Sequence, residues 1–327
     1  MATVYRGVDG AGKASPLSIP DVLGPKQILL KITHASLCGT DVHFLTSGIA
    51  LGHEGVGIVE KIGSEVTQFK VGDRAGAGYV RNSCGTCSYC LKGQDVWCHE
   101  RSAYGEKDHN TGTFGTHYIG NETFLHRIPD SLASEHAAPL QCAGATVYTA
   151  ITSVAKPGDR VGILGIGGLG HLAIQFASKL GYETVVFSSS ARKEEEARGF
   201  GASEFVVLGE AEKVSAPVDV LIVAGSKYPD WEKFMQKNIL ARTGTIVPLS
   251  APAENFNLPS TPMFFNGYNL HSSLVAHRHV HDEMLAFAAA QGVKPAIETF
   301  AFSEEGFAEA YQKLKEGGMR YRGVLVR

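Results

Sequence analysis

No stretch of this chain reaches the roughly 18 consecutive apolar residues that a bilayer crossing needs, so a transmembrane helix is excluded. Charge of one sign is lacking too: 30 lysines and arginines stand against 33 acidic residues, a formal net charge of −3. That balance offers no basic surface to nucleic acid or to anionic lipid. Internal repeats and low-complexity tracts are absent, which excludes a solenoid and a compositionally disordered segment. The opening residues, Met1-Ala-Thr-Val-Tyr-Arg6, contain no apolar signal core and no cleavage site, so a cytoplasmic protein is expected. Thiols stay reduced there. The cysteines, only six in 327 residues, therefore read as metal ligands rather than as three disulfides.

What is present suits a globular protein of two domains, each with its own core. Apolar residues make up 44% and charged residues 19%, and the 38 glycines favour turn-rich β structure together with a glycine loop. The most specific signal is the run Cys84-Gly-Thr-Cys87-Ser-Tyr-Cys90-Leu-Lys-Gly-Gln-Asp-Val-Trp-Cys98, spaced C-x2-C-x2-C-x7-C. Four thiolates at such short spacings close on one tetrahedral Zn²⁺ and leave no open position, so the site reads as structural.

In chain order, residues 1–70 read as β-rich, with strands at Gln27–Thr33 and Gly55–Ile62 and a barrel-like turn and strand at Val71–Val80. Residues 82–112 hold the cysteine lobe and a polar loop, and Gly115–Ile119 is a short strand. Beyond residue 133 the pattern changes. An Ala-rich helix runs from Ala143 to about Val154, followed by strand Arg160–Leu164, a glycine loop over 165–170, a helix over 171–180 and strand Thr184–Ser188. Helices over 192–200 and 229–241 then alternate with strands Glu204–Leu208, Val218–Ala224 and Thr243–Leu249, the pattern of a doubly wound parallel sheet. A strand near Leu270–Val275, helices over 281–290 and 303–316 and a strand Tyr321–Arg327 close the chain.

The loop Gly165-Ile166-Gly167-Gly168-Leu169-Gly170 follows a strand and opens a helix, the setting in which G-x-G-x-x-G reads as a dinucleotide site. Gly165 allows the tight turn, Gly167 admits the pyrophosphate and Gly170 lets helix pack on strand. The helix N-terminus supplies N–H groups for the phosphates. An NAD site places an acid about twenty residues on, for the ribose 2′-OH. Here that place holds Ser188-Ser189-Ser190, then Arg192 and Lys193. Hydroxyls and cations suit a 2′-phosphate, so NADP(H) is expected.

With four cysteines assigned to the lobe, Cys38 and Cys142 are the two left, and with His53 they form a Cys2His set for a catalytic zinc with one free position. Asp41 is placed to orient His53, and Glu54 follows His53 directly, where it approaches the metal when the site is empty. Such a zinc acts as a Lewis acid on an alcohol or aldehyde oxygen while hydride moves to or from nicotinamide C4. The proton leaves through Thr40 Oγ1 and the cofactor ribose to His43. Taken singly, Thr40 is also a turn hydroxyl and His43 also a surface imidazole.

Together these motifs resemble the zinc-dependent medium-chain alcohol dehydrogenases, above all their cinnamyl alcohol dehydrogenase-like branch. The resemblance covers nearly the whole chain: Cys38-Gly-Thr-Asp-Val-His43, Gly52-His-Glu54, the Cys84–Cys98 lobe, Cys142-Ala-Gly-Ala-Thr-Val-Tyr148, Gly165–Gly170, Ser188–Lys193 and Arg320-Tyr-Arg-Gly-Val324. It implies an α/β protein. A GroES-like β-barrel catalytic domain with the structural zinc lobe takes residues 1–143 and 296–327, and a Rossmann doubly wound sheet takes 144–295. It further implies a homodimer, two zinc ions per chain, and cofactor contacts from Thr146, Ser273, Leu274 and Val275. Two departures stand out. Only fourteen residues separate Cys38 from His53, fewer than the family usually has, and the missing ones normally wall the substrate pocket. Ser250 and Ala276 also stand where glycines are expected near the cofactor.

The reading is a zinc- and NADP(H)-dependent alcohol dehydrogenase or aldehyde reductase, acting reversibly on a small primary alcohol or aldehyde, aromatic or aliphatic. Its competitors are a catalytically idle relative serving as a binding module and a zinc-free enone or quinone reductase. The complete set Cys38, Thr40, His53, Glu54 and Cys142 argues against both. His277, His279 and His281 are expected in a polar loop rather than at a third metal. Trp97 and Tyr104 suit either the substrate entrance or lobe packing, and Phe264 and Phe265 either a pocket or a dimer seam.

Overall fold

The computed structural model describes residues 2–250 and 255–327. The chain divides into two compact units, Met1–Ala145 with Ala276–Arg327, and Thr146–Val275. Among the described residues no helix is long and apolar enough to cross a membrane.

The first unit is built on a seven-stranded sheet whose main path runs Ile297–Ala301, Arg322–Val326, Gln27–Ser36, Gly55–Ile62, Arg74–Ala77, Leu125–Arg127, with His117–Asn121 also paired to Gln27–Ser36. All pairs are antiparallel except Ile297–Ala301 with Arg322–Val326. Alternation in Gln27–Ser36 sends Ile28, Leu30 and Ile32 into a core with Leu51, Phe114, Leu125, Phe307 and Leu325. Two register shifts between this strand and Gly55–Ile62 add the bends that let a sheet curl around such a core. The C-terminal strand Arg322–Val326 lies against Ser36, Ala35 and His34, so the end of the chain reaches the segment that leads into Cys38.

The second unit is a six-stranded parallel sheet in the order Glu204–Val207, Glu183–Ser188, Arg160–Leu164, Val218–Val223, Leu240–Pro248, Asn269–Leu270. Counted along the unit this is 3-2-1-4-5-6, which reverses direction beside the first strand and opens a crevice there. Arg160–Leu164 is buried throughout, as expected of a central strand covered on both faces. The glycine loop and helix Gly170–Lys179 follow it directly.

Several elements differ from expectation. The helix expected over 229–241 is one turn, Trp231–Phe234, capped by Asp230. Trp231 and Phe234 bury into the cluster with Phe187, Tyr268 and Leu240, and tertiary packing outweighs local propensity. The strand expected near Leu270–Val275 is only Asn269–Leu270, at the sheet edge. The return to the first unit comes at Ala276, ahead of residue 296, because the helix Arg278–Gln291 packs on the first unit.

That helix also overturns the loop expected for His277, His279 and His281. His277 is its N-cap, and His279 and His281 lie inside it. The His281 ring is buried and stacks on His126 at 3.6 Å between centroids, and His126 Nδ1 lies 2.7 Å from Asp282 Oδ1. Burial, and then the neighbouring His126, hold His281 well below its ordinary value. The folded state thus binds fewer protons there than the unfolded chain, so its stability is complete above the unfolded pKa, about 6.5, and falls as pH drops below it. Urea unfolding at pH 7.5 and 5.5 is expected to show the wild type losing about 1 kcal/mol more than His281→Asn; equal losses would contradict this.

Candidate functional site

Cys38 follows the strand Gln27–Ser36 two residues on and caps a single helical turn, Gly39–Val42. The turn folds Asp41 back so that Oδ2 accepts the Cys38 N–H at 2.9 Å, while Oδ1 lies 3.1 Å from His53 Nδ1. A proton on Nδ1 donated to Asp41 leaves Nε2 with its lone pair outward. Gly52 precedes His53 at φ +98°, and a Cβ there would meet Phe114 N and Thr113 Oγ1 at 2.6 Å, so only glycine seats His53 at this point. The shortened segment between Cys38 and His53 lies against the first strand, with Gly48 N–H donating to Gly7 O at 2.9 Å and Leu51 N–H to Tyr5 O at 2.8 Å.

Cys142 comes from the other side. Helix Ser134–Pro139 stops at a proline, which removes a backbone donor, and the chain widens into a π-turn, Leu140–Gly144. Such turns recur at functional sites. The ligating atoms of Cys38, His53, Glu54 and Cys142 all lie within 4.8 Å of one another. Thr40 Oγ1 is 3.7 Å from Cys38 Sγ, and His43 is exposed at the C-terminal end of the same turn. Glu54 is buried and ion-paired to Arg322, whose guanidinium also donates to Ser36 Oγ at 3.2 Å.

The hydrogen bond from Cys142 and the His53 charge hold Cys38 well below the ordinary thiol value. The same bond and burial push Cys142 well above it, so one proton serves both sulfurs. Burial works against the His53 imidazolium, yet the Asp41 and Cys38 charges lift it to about 10. Burial raises Glu54 to about 7 in spite of Arg322. His53 Nε2 has no protein partner among the described residues. Two sulfurs and one imidazole nitrogen, converging within 4.8 Å of one another, fit the donor set of a Cys2His zinc, whose binding would displace the imidazole proton.

The lobe brings Cys84, Cys87, Cys90 and Cys98 together as free thiols. Sulfurs 2.3 Å from one tetrahedral ion stand roughly 3.8 Å apart, and here Cys84–Cys98, Cys87–Cys90 and Cys84–Cys90 are 3.5, 3.6 and 4.0 Å. Backbone N–H groups already point at the sulfurs, Cys87 to Cys84 and Glu100 to Cys98, each at 3.3 Å. The residues fit a closed zinc site.

In the second unit Gly165 turns at φ +95°, and a Cβ on it would meet Gly225 Cα at 2.7 Å; one on Gly170 would meet Gly165 O at 1.9 Å. A Cβ on Gly167 would meet nothing within 4 Å, which leaves the open cradle a pyrophosphate needs. Gly168, Leu169 and Ile166 complete the loop. Strand Glu183–Ser188 ends at Ser188, with Ser189 exposed and Ser190 beside Arg192, whose Nε donates to Ser190 Oγ at 3.4 Å. Lys193 does something the sequence does not suggest: its ammonium donates to Ile166 O at 2.7 Å and braces the glycine loop. Thr146 is buried at the start of this unit, and Ser273, Leu274 and Val275 close it. Ser250 Oγ donates to Gly225 O at 2.6 Å.

Sequence reasoning missed Arg322 as a partner of Glu54 and left Tyr104 undecided. A lone arginine opening an otherwise apolar strand, Arg322-Gly-Val-Leu-Val, is the signal for the first.

Comparison with known proteins agrees in both units. Residues 24–130 match the alcohol dehydrogenase GroES-like domain and residues 168–291 the zinc-binding dehydrogenase domain. A probable formaldehyde dehydrogenase, AdhA, of Bacillus subtilis is 33% identical over 93% of this chain and 90% of its own length. An NADP-dependent alcohol dehydrogenase C of Mycolicibacterium smegmatis is 32% identical over 93% of this chain and 91% of its own. Among solved structures, a cinnamyl alcohol dehydrogenase from Sorghum bicolor superposes with a TM-score of 0.90 at 29% identity, covering 99% of this chain and 97% of that one.

Proposed function

Because the chain belongs to the zinc-dependent medium-chain alcohol dehydrogenases, in their cinnamyl alcohol dehydrogenase-like branch, we propose that it is an NADP(H)-dependent enzyme interconverting primary alcohols and aldehydes, aromatic or aliphatic. The observation that carries this is the convergence of Cys38, His53 and Cys142 around an unpartnered His53 Nε2. When bound, zinc supplies Lewis acidity toward the substrate oxygen and the nicotinamide supplies or takes the hydride. The chain's own residues do the rest. Cys38, His53 and Cys142 hold the metal, and Asp41 keeps the His53 tautomer. Thr40 takes the hydroxyl proton of the alcohol, and exposed His43 exchanges it with solvent. Cys84, Cys87, Cys90 and Cys98 hold a second zinc and do no chemistry.

For the cofactor, Ser189, Ser190 and Arg192 offer hydroxyls and a cation to a 2′-phosphate, and no carboxylate ends strand Glu183–Ser188 to repel it. The test is NADPH or NADH oxidation with benzaldehyde and cinnamaldehyde, with and without a chelator. Turnover should be chelator-sensitive and favour NADPH at least about tenfold, or ~1.4 kcal/mol, with the preference reduced in Arg192→Ala. Equal use of NADH sinks the cofactor reading, and no turnover with any aldehyde sinks the activity.

The proposed assembly is a homodimer. Phe264 and Phe265 are 80% and 76% exposed on helix Ser260–Asn266, just ahead of the edge strand Asn269–Leu270. A light-scattering mass equal to one chain, 34.9 kDa, would refute it.

A further inference from the structure

Two aromatic rings rise from the stem of the cysteine lobe and meet His53. The stem is the antiparallel pair Val80–Asn82 with Ser102–Ala103, which enters and leaves the four-cysteine loop. Tyr79 precedes one strand and Tyr104 follows the other, tied together by the Tyr104 N–H donating to Tyr79 O at 2.9 Å. Tyr104 is 1% exposed, and its ring stacks on the His53 imidazole at 4.6 Å and 29°. Tyr79 meets the same imidazole edge-on at 5.5 Å.

The Tyr104 hydroxyl is held as firmly as its ring. It accepts the N–H of Gly52, the residue before His53, at 3.1 Å, so the hydroxyl anchors the backbone that leads into the imidazole. Asp41 meets two partners, the Cys38 N–H and His53 Nδ1. Around the ring, Phe44 packs edge-on at 5.0 Å and the buried Arg81 guanidinium lies 5.2 Å from its centroid. A Cβ at Gly105 would strike the Phe44 ring at 2.2 Å, so the backbone leaving Tyr104 is also constrained.

We propose that Tyr104 is a positioning residue for His53, fixing the ring by stacking and the backbone before it through the Gly52 N–H, and that the four-cysteine lobe reaches the open metal centre through it. The proposal rests on the reading of Cys38, His53 and Cys142 as a zinc site. An imidazole free to rotate about its χ angles loses affinity as a ligand, whereas one with its ring plane and tautomer both held is pre-organised. Hydrogen-bond partners of metal-binding histidines are typically worth about 10–100-fold in metal affinity. Asp41 is such a partner, and Tyr104 adds a packing surface on the ring and a hold on the residue before it, from the loop that the lobe closes.

The test is zinc release from the purified holoenzyme into a colorimetric chelator. Wild type should release open-site zinc in one phase and lobe zinc in a slower one. Tyr104→Phe keeps the ring and removes the hydroxyl, and should speed the first phase by roughly tenfold; Tyr104→Leu removes both and should speed it by about a hundredfold. The lobe phase should stay put in both. Tyr104→Phe is conservative enough to fold, and thermal melts of both variants report stability separately. A tyrosine that only supports the fold would lower the melting midpoint and leave the first phase unchanged, and that outcome overturns the proposal. A wild type with no open-site phase would instead overturn the zinc reading, and the proposal with it.

Discussion

Cys142→Ala is expected to lower kcat/KM for aldehyde reduction by at least about a thousandfold, equivalent to ~4 kcal/mol of transition-state stabilisation. The reason is positional. Cys142 is presented by the π-turn Leu140–Gly144 and brings the second sulfur within 4.8 Å of Cys38, His53 and Glu54. Glu54 is the one other donor in the cluster, and it is held by Arg322, so it does not replace the lost sulfur. Cofactor binding should be unchanged, because the glycine loop belongs to the other compact unit; a fluorescence titration with NADPH provides the control. A loss smaller than about tenfold would mean that Cys142 is a buried structural thiol.

The second large effect is on stability. Arg322→Met is expected to destabilise the first unit by roughly 3–5 kcal/mol, because it leaves a carboxyl group buried without its cation. Glu54 is fully buried, and burial already lifts it to about 7 with Arg322 in contact. Losing the guanidinium also deprives Ser36 Oγ of its partner. Urea unfolding measures the loss. Glu54→Gln combined with Arg322→Met should recover part of it, since breaking a buried pair costs more than removing both charges. A single variant within about 1 kcal/mol of wild type would show that the pair behaves as a solvated one.

How far the sequence alone reaches depends on how local each feature is. The lobe is readable because its four ligands fall within fifteen residues, and the Gly165–Gly170 loop because strand, loop and helix follow without interruption. The 3-2-1-4-5-6 sheet is legible as a doubly wound pattern for the same reason. The Glu54–Arg322 pair joins residues 268 positions apart, and no periodicity announces it. Tyr104 reads as lobe packing or entrance from its place near Cys98, and only the fold turns its ring onto His53. His277, His279 and His281 alternate like an irregular segment, yet they start a helix whose N-cap, His277, makes no side-chain cap bond, so the usual start signal is missing. Lys193 looks like a free cation beside Arg192 until the chain folds it back to Ile166 O.

Two separate zinc sites are proposed, one in the closed cysteine lobe and one at Cys38, His53 and Cys142. Metal analysis of purified wild type and Cys142→Ala tests this most directly. Two zinc ions per chain are expected in the wild type and one in the variant, the remaining one lost only when Cys98 or another lobe cysteine is replaced. Equal zinc content in wild type and Cys142→Ala would contradict this.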